Sequence, residues 1–73
     1  MLFLTENGHQ YTLASTGLGR KNLDKVYGSR EAATEKMYKV CKKHGLQITE
    51  IYDDKHDKTY ICNQGVRFYI HRM

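Results

Sequence analysis

The sequence predicts a two-layer α+β domain, with one central amphipathic helix packed on an antiparallel sheet of about five strands in the order ββαβββ. Three observations predict it. The stretch from Ser29 to Leu46 carries a helix start signal, a 3.6-residue apolar period and a helix stop signal. An Asn7-Gly8 pair lies between apolar, strand-like residues near the amino terminus. After the helix come three β-rich segments separated by polar turn clusters. At 73 residues the chain reads as a single domain, 1–73. A domain of this size buries only about 60% of its unfolded-chain surface, so a functional site is expected on the surface rather than in a cavity.

Leu2 to Leu13 reads as a hairpin, because Asn-Gly is the dipeptide that a type I′ turn prefers. A two-residue loop sets Glu6 opposite His9, Leu4 opposite Tyr11 and Leu2 opposite Leu13. Leu2, Leu4, Tyr11 and Leu13 then share one face, with Phe3, Thr5, Gln10 and Thr12 on the other. Ala14 to Tyr27 reads as a connection, anchored by Leu23, Val26 and Tyr27 and compatible with a short helical turn near Asn22 to Val26. Its GLGRK run lacks both the Gly-Lys-Ser/Thr ending of a P-loop and the spacing of a dinucleotide fingerprint, so a flexible link is the expectation.

In the helix, Ser29 is suited to N-cap and Glu31 to the first turn, where negative charge meets the positive end of the dipole. Ala33, Met37, Val40, Cys41 and His44 form the inner stripe at about 100° per residue, and the charged residues fill the rest. Gly45 fits the left-handed position after the last turn, with Leu46 following as in a Schellman motif.

Beyond it, Leu46 to Tyr52 is expected as a central strand. The Ile51-Tyr52 pair breaks strict alternation, as happens when a strand is buried on both faces or bulged. Asp53-Asp54-Lys55-His56-Asp57 is a turn cluster, and Lys58 to Cys62 joins Val66 to Arg72 through Asn63-Gln64-Gly65. A three-residue loop with Gly65 left-handed pairs Tyr60 with Phe68 and Lys58 with Ile70. It groups Tyr60, Cys62, Val66, Phe68 and Ile70 inward and leaves Thr59, Ile61, Arg67, Tyr69 and His71 outward. A two-residue loop gives a poorer apolar match.

No proline, no low-complexity run and 40% hydrophobic residues describe a globular chain. There is no apolar run near the length of a membrane span and no n-region followed by an h-region, so a cytoplasmic protein without membrane partners is expected. Cys41 and Cys62 are then expected as reduced thiols. The formal charge is +4, but its distribution says more. Arg20 to Gly45 holds eight basic residues against three acidic ones, whereas Leu46 to Met73 has four of each. A one-sided basic surface attracts phosphate backbones or an acidic protein face.

Cys41, His44, Cys62 and His71 are zinc-ligand types, but in the three-residue register Cys62 and His71 point to opposite faces, and no metal or other cofactor is expected. Asp53, Asp54, His56 and Asp57 are accounted for by turn preference, and no catalytic triad can be ordered, so no catalytic residue is assigned and the protein is expected not to be an enzyme. The binding candidates are Arg20, Lys21 and Lys25 before the helix and Lys36, Lys39 and Lys43 along it. Arg67 and Tyr69 join them on the outward sheet face, since Arg and Tyr are favoured at interfaces. No RNP-type or GXXG motif supports sequence-specific RNA recognition.

In being a short, self-contained α+β chain without a catalytic motif, the protein resembles the small accessory proteins encoded by bacteriophages and other mobile elements. The resemblance is one of type, over the whole chain, and carries no site residues. It implies a non-catalytic protein that binds and inhibits or redirects a host protein or nucleoprotein complex, including defence systems of the anti-CRISPR kind. Direct DNA or RNA binding through the helix ridge and the preceding loop is the alternative, and a homodimer through an open sheet face or edge strand is compatible with either.

Overall fold

The structure, a computed structural model, describes residues 9–73, so Leu2 to Gly8, with the Asn7-Gly8 turn and the first arm of the expected hairpin, lie outside the described residues. Five antiparallel strands, β1 (Tyr11–Thr16), β2 (Asp24–Tyr27), β3 (Ile48–Asp53), β4 (Asp57–Cys62) and β5 (Arg67–Arg72), form one open sheet in the order β2-β1-β5-β4-β3. Among the described residues a single α-helix, α1 (Arg30–His44), lies between β2 and β3 in sequence and covers one sheet face. This is the ββαβββ order of a two-layer α+β fold.

The hairpin that precedes the helix is β1-β2. Tyr11 sits between Tyr27 and Arg72, and Leu13 between Lys25 and Ile70. Both edges of Tyr11–Leu13 are therefore occupied by β2 and β5, and the partners expected for them, Leu4 and Leu2, lie outside the described residues. The connection read over Ala14 to Tyr27 contains the end of β1, a 3-10 turn at Gly19–Lys21 and all of β2; the turn sits before Asn22 rather than after it. Side-chain chemistry explains this shape. The Ser15 hydroxyl accepts the Leu23 N–H at 2.6 Å, and the Asn22 carbonyl oxygen accepts the Leu18 N–H at 2.9 Å, so two polar side chains close the link and start β2. Ser15 is buried among the core residues. Ser15→Ala leaves the Leu23 amide without that partner and should cost about 1–3 kcal/mol in urea denaturation.

The helix forms for the reasons its sequence announces. Ser29 is extended and its hydroxyl accepts the Ala32 N–H at 3.1 Å. Gly45 is left-handed at φ 65, with its N–H bonded to Lys42 O and the Leu46 N–H to Cys41 O at 2.8 Å, the paired bonds of a Schellman stop. Ala33, Met37, Val40 and Cys41 are buried, while His44 remains half-buried at the last turn.

In the carboxyl-terminal meander the three-residue turn holds, and Gln64 joins Gly65 in the left-handed region. Tyr60 pairs with Phe68 and Lys58 with Ile70, and Tyr60, Cys62, Val66, Phe68 and Ile70 are all buried beneath the helix layer. The central strand of the sheet is β5. The expectation of a central β3 is overturned: β3 is an edge, irregular between Ile48 and Glu50, and its other residues are exposed. The helix runs mainly over β1, β5 and β2, and in β3 only Ile48 packs against the core, while Ile51 and Tyr52 are exposed on an edge whose bulge precedes them rather than buried on both faces.

Candidate functional site

Helix geometry and sheet register together place the basic residues. On the helix, Arg30, Thr34 and Tyr38 occupy one flank, and the Tyr38 ring meets Tyr60 of β4 edge-on at 6.3 Å. The opposite flank, with Lys36, Lys39 and Lys43, therefore turns toward β2. Lys25 lies on the helix side of β2, because it is paired with the buried Leu13. The Gly19–Lys21 turn lies at the helix's carboxyl-terminal end: Gly17 packs against Gly65 of the β4-β5 turn, and that turn adjoins Cys62, the neighbour of Cys41. Arg20, Lys21, Lys25, Lys36, Lys39 and Lys43 thus share the β2 edge of the helix layer. Lys36 is half-buried and the other five are exposed.

Among the described residues the two ion pairs lie elsewhere, Lys58 with Asp53 at 3.7 Å and His71 with Asp57. Glu31 and Glu35 line an open shelf with Arg30, Thr34 and Tyr38, and Glu35, one turn before Lys39, forms no ion pair with it among the described residues. The basic surface is accordingly predominantly positive, with none of its cations in an ion pair among the described residues, the arrangement that attracts a polyanion.

Arg67 and Tyr69 do not belong to it. They project from the opposite face, which no described element covers, and there Tyr69 is flanked by Ala14 and Thr59 on the neighbouring strands. That face also carries Asp24, Glu50 and Asp57 against Arg67, an acidic balance unsuited to phosphate. There the Tyr52 hydroxyl donates to the Glu50 carboxylate at 2.6 Å, which raises the Tyr52 pKa, while the nearby Arg67 charge pulls it down. The eight candidate binding residues therefore divide six and two between separate surfaces.

No protein-family model, curated protein or solved structure matches the chain. Function must be argued from the surface itself.

The aspartates of the β3-β4 turn are engaged locally. Asp53 pairs with Lys58, Asp54 accepts the Lys55 N–H at 2.7 Å, and Asp57 holds His71 across the strands. His56 Nε2 lies 3.3 Å from the Arg72 guanidinium. Cys41 and Cys62 are free, buried thiols. Burial first, then the neighbouring Cys62, pushes Cys41 up to about 11, and burial raises Cys62 as well, so neither is primed as a thiolate nucleophile. Among the described residues no group of three His, Cys, Asp or Glu side chains is placed to hold a metal ion, and no helix is long and apolar enough to cross a membrane.

Two features were missed by sequence reasoning. One is the Asp57–His71 pair, which depends on strand register. The other is the exposed edge of β3. A signal for the second was present, since Glu50 and Asp53 place carboxylates on both faces of the strand and a central position would bury at least one of them.

Proposed function

We propose that this is a non-enzymatic binding protein that acts in the cytoplasm, docking on a larger macromolecular machine and modulating or inhibiting it. Its electrostatic contact is the basic flank of α1 with Lys25 and the Arg20–Lys21 turn. The observation that carries this reading is the gathering of six basic side chains from three separate segments onto one edge, none of them in an ion pair among the described residues. The resemblance to phage-type accessory proteins supplies the idea of a host protein or nucleoprotein complex as target. A second reading, direct nucleic-acid binding, is favoured by the linear run of Lys36, Lys39 and Lys43, which spans about 10 Å of helix and can follow successive phosphates.

Fluorescence anisotropy with labelled duplex DNA, single-stranded RNA and poly-glutamate at low ionic strength tests both. The wild type should bind at least one of these polyanions, and added salt should weaken the complex. If nucleic acid is the target, Lys39→Glu with Lys43→Glu should lower the salt slope by about 2, one for each lost phosphate contact. Binding to poly-glutamate alone would point to an acidic protein face. No binding to any of the three by the wild type would overturn the proposal.

A further inference from the structure

The strongest feature outside the basic flank is the far edge of the sheet. Among the described residues strand β3 pairs only with β4, so alternate N–H and C=O groups along its other side have no strand partner there. Sheet edges are usually blunted by shortness, lysine, proline or a bulge. β2, at the opposite edge, is four residues long and carries Lys25. β3 is six residues long and contains neither lysine nor proline. Its irregularity falls at its beginning, where the Thr49 hydroxyl donates to Ile61 O at 3.1 Å; from Glu50 to Asp53 the register with β4 is regular. Four consecutive residues are therefore in strand geometry with one side unpaired among the described residues.

The side chains on that edge specify what fits. Ile51 and Tyr52 are 52% and 58% exposed and point to opposite faces, so an added strand meets apolar surface on both sides at adjacent positions. On the helix side Tyr38, 50% exposed, shares with Ile51 a position next to Tyr60. Glu50 and Asp53 bracket the apolar pair and Asp54 follows, with no basic residue between Ile48 and Asp54. The only cation on these carboxylates among the described residues is Lys58, in a solvent-exposed pair with Asp53.

We propose that β3 accepts, as a sixth strand, an extended segment of a partner protein in which basic residues bracket an apolar pair. Main-chain bonds supply the pairing, and the side chains beside Ile51 and Tyr52 and opposite Glu50 and Asp53 supply the selectivity. A second copy of this chain fits poorly, because β3 pairing with itself would gather three carboxylates from each copy along one seam. A nucleic acid is disfavoured by the same charges. This surface is the opposite in charge and chemistry to the basic flank, so a single partner complex could engage both and the two can fail independently.

The test is a heteronuclear NMR titration of the full chain with the synthetic peptide Thr-Lys-Val-Val-Lys-Thr, a palindrome that can add in either strand direction. Amide shifts and slowed hydrogen exchange are expected at Glu50 to Asp53. The same peptide N-methylated on alternate amides, and Thr-Glu-Val-Val-Glu-Thr, should leave the spectrum unchanged. In the variant Glu50→Lys with Asp53→Lys, whose substitutions are both at exposed positions, the preference should invert toward the acidic peptide. The proposal is overturned if the basic peptide gives no shifts at millimolar concentration, if shifts fall on Arg67 and Tyr69 instead, or if N-methylation has no effect. Concentration-dependent protection of β3 without peptide would also overturn it, by assigning the edge to a second copy.

Discussion

Phe68→Ala should remove about 3–5 kcal/mol of stability, the usual cost of truncating a buried aromatic ring to a methyl group. Phe68 is fully buried on β5, the strand with two neighbours on each side, and stands between Ser15 of β1 and Tyr60 of β4. Its ring is therefore the middle of a core built from β1, β4, β5 and the helix. A domain of this length has only about 4–11 kcal/mol to lose, at the per-residue stability usual for globular proteins. Urea denaturation should show the midpoint collapsing toward zero denaturant at unchanged slope. The control is on the next residue: Tyr69→Ala, on the uncovered face, should cost less than about 1 kcal/mol. A larger loss for Tyr69→Ala than for Phe68→Ala would mean that the sheet faces are assigned the wrong way round, and equal losses that both faces are covered.

Gly17→Ala is the second large effect, and its cause lies in a backbone approach outside the hydrophobic core. Gly17 has φ 89, and a Cβ there would stand 2.4 Å from the carbonyl oxygen of Gly65. An L-residue in that backbone region costs about 1–3 kcal/mol, and forcing two backbones apart costs about 1–3 more. The contact ties the β1-β2 connection to the β4-β5 turn, so displacing it also moves the Arg20–Lys21 turn of the proposed basic surface. Gly45→Ala is the comparison, because Gly45 is left-handed too but nothing lies within 4 Å of its would-be Cβ. It should cost only about 1–2 kcal/mol, the backbone penalty alone. Thermal unfolding of the two variants side by side checks the difference; equal shifts would show that the Gly17 approach to Gly65 is not maintained in solution.

Where the sequence could be read, the determining interactions were short in range. Ser29, Gly45 and Leu46 act within a turn of the groups they cap, and the Asn63-Gln64-Gly65 turn sets the register of the strands on either side of it. The same locality explains the successful division of the last two strands into an inward apolar face and an outward face with Arg67 and Tyr69. Where the reading failed, the deciding partner was far away in sequence. The Asn7-Gly8 turn lies outside the described residues, but Tyr11 and Leu13, expected to pair toward it, are claimed by β2 and by β5, the last strand in the described sheet. β2 itself has weak apolar content and an exposed surface, so it exists chiefly because β1 and the Ser15 and Asn22 side chains template it.

The candidate surface divides along the same line. Composition and position alone determined that positive charge is concentrated from Arg20 to Gly45 and that the helix carries a lysine ridge, because charge is a property of each residue and helical phase follows from local spacing. Only the tertiary structure decided that the ridge faces β2, that Lys25 and the Arg20–Lys21 turn join it, and that Arg67 and Tyr69 lie on the other side of the sheet. It also decided that β3 is an edge. Strand order is set by which faces can be buried together under a single helix, a competition among all five strands at once, and no local pattern encodes its outcome.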